Sequence, residues 1–380
     1  MRYFSFVAIV GLLLTLGSCA WIEAPPERKP KPTPAPTLRP KRPTPTRHPK
    51  RRATPTATPT LTRTPTPKPP KPPPAPTAQR YLFKTFTTRD GLSSDQVFVV
   101  TGDGRSIWLG TWLRGASRYD RASGRWQTVS GPSGSNIRAI AIDGDGVWVG
   151  SRDRGVARYD YQTRKWRRNS AVGRADVKAL ALHGSDLWVG TLTKGMMQVN
   201  LRTGHITRYR AGHGLSANNI AYIAVDGDDI WCATIMHGVC RYNTRTRRWK
   251  TFRSRDGLGR DTVKCIVADS RYVWFATWGV GVSVYDKKKK RWGRYTTKHG
   301  LGDNYVYALA LDGNYVWAAT FGGGASVLDR RTGKWTTFTS RDGLASNHLT
   351  TVHCTGDEVW FGTLGEGVCR ATKSLLTRRR

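Results

Sequence analysis

A tryptophan recurs seven times in the chain, always 40 or 43 residues after the previous one. Each copy is followed by a Gly/Ala-Thr/Ser pair, and a glycine stands seven residues after every tryptophan. A fixed period of this length is the signature of a repeat architecture, in which each unit must stack on its neighbours to bury a core. The series is Trp108, Trp148, Trp188, Trp231, Trp274, Trp317 and Trp360.

Each repeat contains four short runs with β-strand patterning. In the first copy they cover Gln96–Thr101, Ser106–Thr111, Ala116–Tyr119 and Arg125–Val129, and turn residues rich in Gly and Asp separate them. Four strands in about 43 residues are typical of one propeller blade. The sequence therefore predicts an all-β fold, a single seven-bladed β-propeller of four-stranded blades spanning 81–380.

The two ends of the repeat region complement each other. The last copy has three strands and then runs into SLLTRRR, a poor strand sequence. Phe83-Lys-Thr-Phe86 matches the fourth strand of another copy, Trp249-Lys-Thr-Phe252. We therefore expect the N-terminal strand to complete blade seven and to remove the open sheet edge that a linear array would leave.

The repeat carries a family resemblance. Asp-Gly-Leu-x-x-x-x-Val, Val-Trp-x-Gly-Thr, Gly-Val-x-x-Tyr-Asp and Trp-x-x-Phe follow one another through about 81–370. This pattern resembles the two-component regulator propeller repeat. The resemblance implies the extracytoplasmic sensor part of histidine kinases, often those that respond to polysaccharide fragments. Since this sequence shows one ring and no kinase, the implied role is recognition and not enzymatic signalling.

The first 19 residues have the layout of an export signal, with Arg2 before an apolar run from Phe6 to Leu16. Leu16-Gly17-Ser18-Cys19 resembles the lipobox of bacterial lipoproteins. That resemblance implies cleavage after residue 18 and lipidation of Cys19, which would anchor the chain in a membrane on the extracytoplasmic side, at the outer membrane or the cell surface. A plain signal peptide or an uncleaved short anchor is the alternative.

Residues 19–80 are predicted to be a disordered stalk. Twenty of the 21 prolines of the chain lie in this part, in Pro-Thr alternation. Proline removes backbone donors and favours polyproline II, whose rise of about 3.1 Å per residue gives a reach of up to roughly 180 Å. The stalk is also basic, and its charge either binds anionic wall polymer or lipid headgroups or only solvates the linker. Both interpretations stay open.

A candidate ligand site follows from comparing the short loops between the second and third strands. One loop position is largely apolar or aromatic, and another is basic on blades 1 to 4. Flat aromatic groups beside cations suit sugar rings that carry carboxylate, sulfate or phosphate. The alternative is that the aromatic residues only plug the channel. The candidate residues are Trp112, Arg114, Arg152, Arg154, Lys194, His237, Trp278, Phe321, His348 and Glu366.

The opposite face is predicted to carry a basic rim on the turns between the third and fourth strands. Such a rim would attract anionic glycan, lipid headgroups or nucleic acid in a salt-dependent way. No nucleic-acid motif accompanies it, and export argues against nucleic acid as the native ligand. Solvated turn residues are the alternative. The rim residues are Arg247, Arg248, Lys287, Lys288, Lys289, Lys290 and Arg331.

Enzymatic motifs are missing. The sequence has no Walker loop, Gly-x-Ser-x-Gly, His-Glu-x-x-His or Cys-x-x-Cys, and only 26 acidic residues against 62 basic ones. We therefore expect a binding protein without cofactor or metal, with an anionic polysaccharide or an envelope protein as partner. An envelope scaffold held by the stalk and rim is one alternative. A metal-dependent lyase similar to the streptogramin lyases, using His237, His348 and Glu366, is another.

Five cysteines remain if Cys19 is lipidated, so at least one of them has no partner within the chain. The three-residue turn in blade 4 places Cys232 opposite Cys240, where an exported protein could form a disulfide. Strained cross-strand geometry favours free core thiols instead. That prediction covers Cys232, Cys240, Cys265, Cys354 and Cys369.

Overall fold

The computed structural model describes residues 82–129, 131 and 136–377. The predicted signal peptide, Cys19 and the stalk lie outside these residues. The described chain forms seven antiparallel four-stranded sheets, and each inner strand packs against the inner strands of the two neighbouring sheets in a closed ring. This is a seven-bladed propeller and confirms the predicted fold class.

The strands follow in chain order from the inner to the outer edge of each blade. Blade 1 contains β2–β5, at Val97–Gly102, Ser106–Thr111, Ala116–Asp120 and Arg125–Val129; blade 2 contains β6–β9, at Ile137–Asp143, Gly146–Ser151, Gly155–Asp160 and Trp166–Arg168. Blade 3 contains β10–β13, at Val177–His183, Asp186–Thr191, Met196–Asn200 and Ile206–Tyr209; blade 4 contains β14–β17, at Ile220–Asp226, Asp229–Thr234, Val239–Asn243 and Arg248–Phe252. Blade 5 contains β18–β21, at Val263–Ala268, Tyr272–Thr277, Gly281–Asp286 and Arg291–Tyr295; blade 6 contains β22–β25, at Val306–Asp312, Tyr315–Thr320, Ala325–Asp329 and Lys334–Phe338.

Blade 7 is built from both ends of the described chain. Its three inner strands are β26–β28, at Leu349–Thr355, Glu358–Thr363 and Val368–Thr372, and its outer strand is β1, at Phe83–Phe86. β1 pairs antiparallel with β28 from Phe83↔Ala371 to Phe86↔Val368. After β28 the chain forms the short helix α1, at Lys373–Thr377, in place of a further strand.

The repeated tryptophans form the core between blades. Five of the seven have no exposed surface, and Trp148 and Trp274 are 8% and 3% exposed. Trp108 of blade 1, for example, packs against Tyr159 of blade 2 with ring centroids 5.6 Å apart. The structural role of the series therefore accounts for its recurrence.

The Thr and Gly of the repeat close the turn between the second and third strands. The Thr111 hydroxyl donates to the carbonyl oxygen of Gly115 at 2.8 Å, and each later repeat makes the equivalent bond. From blade 3 onward the glycine N–H also donates to the next blade, as Gly367 does to Asp95. These glycines adopt positive φ, for which a side chain is unfavourable.

The Asp-Gly-Leu loops enter the first strand of a blade through a capped turn. The Thr87 N–H donates to the Asp90 carboxylate at 2.8 Å, Gly91 has φ of 105°, and Leu92 is buried. Leucines at the equivalent place before blades 4 to 7 are also buried. The motif therefore anchors each loop to the core.

Ion pairs join neighbouring blades on the face of the ring opposite the Asp-Gly-Leu loops. In three of the pairs an aspartate at the end of the first strand, or directly after it, bonds a cation of the next blade. The pairs are Asp226–Lys287 at 2.7 Å, Asp269–Arg330 at 2.9 Å and Asp312–Lys373 at 2.8 Å, and Arg121–Glu358 at 3.1 Å joins blades 7 and 1. Four consecutive contacts between blades are thus supported by charge.

Replacing Gly367 by alanine is expected to destabilise the protein by about 2–5 kcal/mol, because the residue has φ of +76° and the added methyl overlaps the backbone carbonyl of Phe86. Gly204→Ala is the matched control, since Gly204 has φ of +75° but open space around it. That control isolates the backbone cost of about 1–2 kcal/mol. Chemical denaturation measures both, and equal losses would show that the contact with β1 is unimportant.

All five described cysteines are free thiols, as predicted. Cys232 does lie opposite Cys240 on adjacent strands. The Cys240 sulfur accepts the N–H of Ser216 at 3.2 Å, as the Ser117 and Ser283 hydroxyls accept loop N–H groups in other blades. Cys240 thus takes the place of a serine that holds an entry loop.

Candidate ligand-binding site at the channel mouth

The seven inner strands line a central cavity of about 470 Å³. Each of these strands has a register shift of one residue at the same place, a β-bulge. The seven residues at the shift all line the cavity, and we call them the bulge ring. They are Phe98, Arg138, Lys178, Ala221, Lys264, Tyr307 and Thr350.

An aromatic cluster covers the bulge ring on blades 5 and 6. Trp278, directly after the strand Tyr272–Thr277, is only 7% exposed. Its ring centroid lies 5.0 Å from that of Tyr305, 5.2 Å from Tyr307 and 5.8 Å from Phe321. His348 of blade 7 packs edge-on against Phe321 at 4.9 Å. The cluster therefore crosses the boundaries between three blades.

Lys264 of the bulge ring lies on this aromatic cluster. Its Nζ is 4.7 Å from the ring centroid of Trp278 and 5.6 Å from that of Tyr307. No ion pair or hydrogen bond links the ammonium to another described residue. Burial lowers the pKa of Lys264 to about 8, because the charged form loses hydration. The ammonium is thus a partly dehydrated cation held by aromatic faces.

A second cation and aromatic pair lies across the ring on blades 1 and 2. The Trp112 ring centroid is 5.2 Å from that of Phe98, and the Arg138 guanidinium is 6.0 Å from the Trp112 ring. Arg138 also pairs with Asp176 of the blade 3 entry loop at 3.1 Å. This pair differs from Lys264 because its charge is compensated by a carboxylate.

The structure divides the predicted site residues into two groups. Trp112 packs on Phe98 of the bulge ring, and Trp278 and Phe321 pack on Tyr307. His348 packs on Phe321. The other six lie at loop tips around the mouth: Arg114, Arg152, Arg154, Lys194, His237 and Glu366. None of the ten predicted residues is among those that line the cavity.

Several of these tip residues have local partners. Arg154 pairs with Asp153 at 3.7 Å, and the Lys194 ammonium donates to the Arg174 carbonyl at 2.9 Å. His237 Nδ1 lies 2.8 Å from the Ile235 carbonyl oxygen. Arg114 and Glu366 are exposed. The tips therefore form an outer rim with mixed charge, predominantly basic.

Two apolar loop tips flank the basic part of this rim. Leu113 and Met236 are 63% and 61% exposed, and both have positive φ, 67° and 65°. A non-glycine residue rarely adopts this conformation. The face thus combines exposed apolar groups with cations.

The residues that sequence analysis missed are those of the bulge ring. Their signal is a column with the tryptophan spacing of 40 or 43 residues, in which Arg138, Lys178 and Lys264 interrupt an apolar strand. At this position of the inner strand the side chain faces the cavity, so a charged residue here marks its lining.

The predicted basic rim on the opposite face is partly engaged in structure. Lys287 forms the ion pair between blades 4 and 5, and Arg331 pairs with Asp329 of its own turn at 3.0 Å. Arg247, Arg248 and Lys288–Lys290 are exposed. These five lie on adjacent turns of blades 4 and 5.

Within the described residues, no group of three or more His, Cys, Asp or Glu side chains is placed to hold a metal ion. His237, His348 and Glu366, the residues of the lyase alternative, do not assemble into such a group. None of the helices in the part of the chain that the structure describes has the length and apolar character needed to span a bilayer.

No protein-family model and no curated protein sequence matches the chain. Solved structures do match. The extracellular domain of a putative hybrid two-component system from B. thetaiotaomicron aligns with a TM-score of 0.66 at 18% identity, over 77% of this chain and 42% of that one. The extracellular domain of a putative one-component system from the same organism aligns with a TM-score of 0.66 at 22% identity, over 77% and 40%.

A third similar structure is PorZ, a surface component of the type-IX secretion system of Porphyromonas gingivalis, with a TM-score of 0.59 and 18% identity over 74% of this chain and 47% of that one. The chain thus spans less than half the length of all three structures. At these identities the likeness establishes the fold. The chain shares its propeller fold with extracellular domains of two-component regulators, the group whose repeat its sequence resembles.

Proposed function

We propose that this protein is a non-enzymatic, extracytoplasmic recognition propeller whose loop face binds an anionic glycan. The observation that carries the proposal is the placement of cations directly on aromatic rings at one end of the channel, with Lys264 on Trp278 and Arg138 on Trp112. Aromatic faces stack on sugar rings, and the cations supply charge for carboxylate, sulfate or phosphate. The basic loop tips would extend this surface outward.

The proposal includes an anchored, extracytoplasmic location. Its support is the lipobox resemblance at Cys19 and the shared fold with domains described as extracellular. The basic, proline-rich segment would act as a spacer between the lipid and the propeller. Mass spectrometry of the N-terminal peptide tests the lipid directly.

The binding test combines Trp112→Ala and Arg154→Ala in the full-length protein. We expect binding to sulfated or uronate-rich glycans on an array to fall at least about tenfold, since a charged hydrogen bond and a stacking contact are lost together. The matched control changes Lys288, Lys289 and Lys290 to alanine on the opposite face. An unchanged glycan profile in the double variant would refute the proposed face.

The same pair of variants tests the second candidate function, an envelope scaffold held by charge. The observation that favours it is the exposed group of Arg247, Arg248 and Lys288–Lys290 on adjacent turns. If the triple lysine variant loses retention of envelope material that moderate salt releases, and the double variant does not, the scaffold function is supported.

A further inference from the structure

The central cavity has a one-sided charge. Arg138, Lys178 and Lys264 contribute cations from the bulge ring, and no Asp or Glu is among the described residues that line the cavity. Asp176 of the blade 3 entry loop pairs with Arg138. Positive charge in a cleft with low-dielectric walls raises the local concentration of anions.

Among the cations of the bulge ring, Lys264 is the one for which we expect the strongest interaction with an anionic ligand. Its ammonium contacts the faces of Trp278 and Tyr307 and has no carboxylate partner within the described residues. The cation–π contacts hold it in place but leave its N–H donors without a described acceptor. Burial lowers its pKa to about 8, because the charged form loses hydration. An anion would restore both hydrogen bonding and charge balance.

The bulge places this ammonium where a ligand can reach it. A regular inner strand would pair every residue with its neighbour, whereas the bulge leaves Lys264 outside the register between Val263↔Thr277 and Cys265↔Ala276. The side chain lines the cavity together with Tyr307 of the next blade. The site is therefore built from the inner strands and not from the loop tips.

We propose that the channel is an anion-binding pocket in which the Lys264 ammonium binds a carboxylate, sulfate or phosphate group. A cavity of about 470 Å³ is within the size range of small-molecule sites and admits a free ion or one terminal acidic sugar, but not a folded polymer. The inference deepens the proposed glycan function, because it assigns the acidic end of the ligand to the channel and the remaining units to the loop face. A free anion is the other source of the same chemistry.

The experiment measures binding of three anions and one neutral sugar to the full-length protein by calorimetry at constant ionic strength. Inorganic phosphate and sulfate represent the free ion, glucuronate represents the sugar acid, and glucose is the neutral control. We expect at least one of the three anions to bind and glucose to bind at least about tenfold more weakly. Binding of phosphate or sulfate alone would assign a free ion, and binding of glucuronate alone would assign a sugar acid; both support the pocket.

Lys264→Met removes the ammonium and keeps an unbranched apolar side chain. We expect the affinity for the bound anion to fall at least about tenfold, because a hydrogen bond to a charged group is lost. Lys250→Met is the matched control, since Lys250 also lies over an aromatic ring, 4.8 Å from Phe252, but on the exposed outer strand of blade 4. The melting temperature verifies that each variant is folded, and Lys264→Met should not lower it.

Three results would overturn the inference: no binding of any anion, binding of glucose as tight as that of the tightest-binding anion, or equal anion affinity in Lys264→Met and the wild type. These outcomes are separable from failure of the proposed function. Glycan binding that depends on Trp112 and Arg154 but not on Lys264 would refute the channel pocket alone. Anion binding that depends on Lys264, without any glycan binding, would refute the glycan function alone.

Discussion

Truncating the chain so that it begins at Thr87 is expected to unfold the propeller or to lower its melting temperature by well over 10 °C. The truncation removes β1, whose two phenylalanines are 5% and 4% exposed. Phe83 contacts Phe338 of blade 6, and Phe86 stacks on Trp360 at 5.8 Å and contacts Tyr119 of blade 1 at 5.6 Å. One short strand therefore joins three blades, and its loss opens a sheet edge.

Point substitutions give the magnitude of this effect. Phe86→Ala should cost about 3–5 kcal/mol, the usual cost of truncating a buried aromatic residue, against a typical total stability of about 5–15 kcal/mol. The control is Lys84→Ala on the same strand, where the side chain is exposed and the expected loss is below about 1 kcal/mol. Calorimetry or denaturant titration measures the stability of the two variants and of the truncated chain against the wild type. A truncated chain that melts like the wild type would show that β1 does not close the ring.

Acidification is expected to destabilise the protein through His353. This histidine lies on the inner strand β26, and its Nε2 is buried without a hydrogen-bond partner in the described structure. Burial lowers its pKa to about 4, and the positive charges of Lys373 and Arg121 act in the same direction. The unfolded chain binds a proton near pH 6.5 while the folded chain stays neutral. Stability is therefore lost as the pH falls from about 6.5 to 4, by up to about 3 kcal/mol.

His353→Val isolates this contribution, because blade 5 already has Val267 at the equivalent position. Between pH 7 and pH 4.5 the wild type should lose more free energy of unfolding than the variant, and the two losses should differ by about 2–3 kcal/mol. Replacing His213, which is exposed on a loop, controls for the removal of one histidine. Parallel pH profiles for wild type and His353→Val would contradict the assignment.

The ring was predictable because its determinants repeat in the sequence. Each tryptophan, turn hydroxyl and positive-φ glycine has one structural task, performed seven times. The predicted first strand of blade 1, Gln96–Thr101, lies one residue before the observed strand β2, Val97–Gly102. The turn residues Gly102-Asp103-Gly104 predict that the strand ends at Thr101, whereas Gly102 still pairs with Ile107. The SLLTRRR segment was correctly not assigned to a strand, and its first part forms α1.

The interior of the candidate site was less predictable for a physical reason. Because all seven inner strands have the bulge at the same place, it does not change the length of one repeat relative to another. An alignment of the repeats therefore does not reveal the bulge. The partner of Lys287 was equally hidden, because Asp226 lies 61 residues earlier, in another blade. Trp112, Trp278 and Phe321 were found since loop positions can be compared by column, whereas cavity contacts depend on how blades meet.

The bulge also separates what the ring needs for stability from what it offers to a ligand. The residue before each bulge is always Val, Ile or Leu and is buried, whereas the bulged residue itself varies from Phe to Arg, Lys, Ala, Tyr and Thr. The hydrophobic packing shared by all seven blades therefore rests on the residue before the bulge, and the bulged residue differs from blade to blade. A scaffold of this kind can acquire new selectivity by single substitutions, one blade at a time.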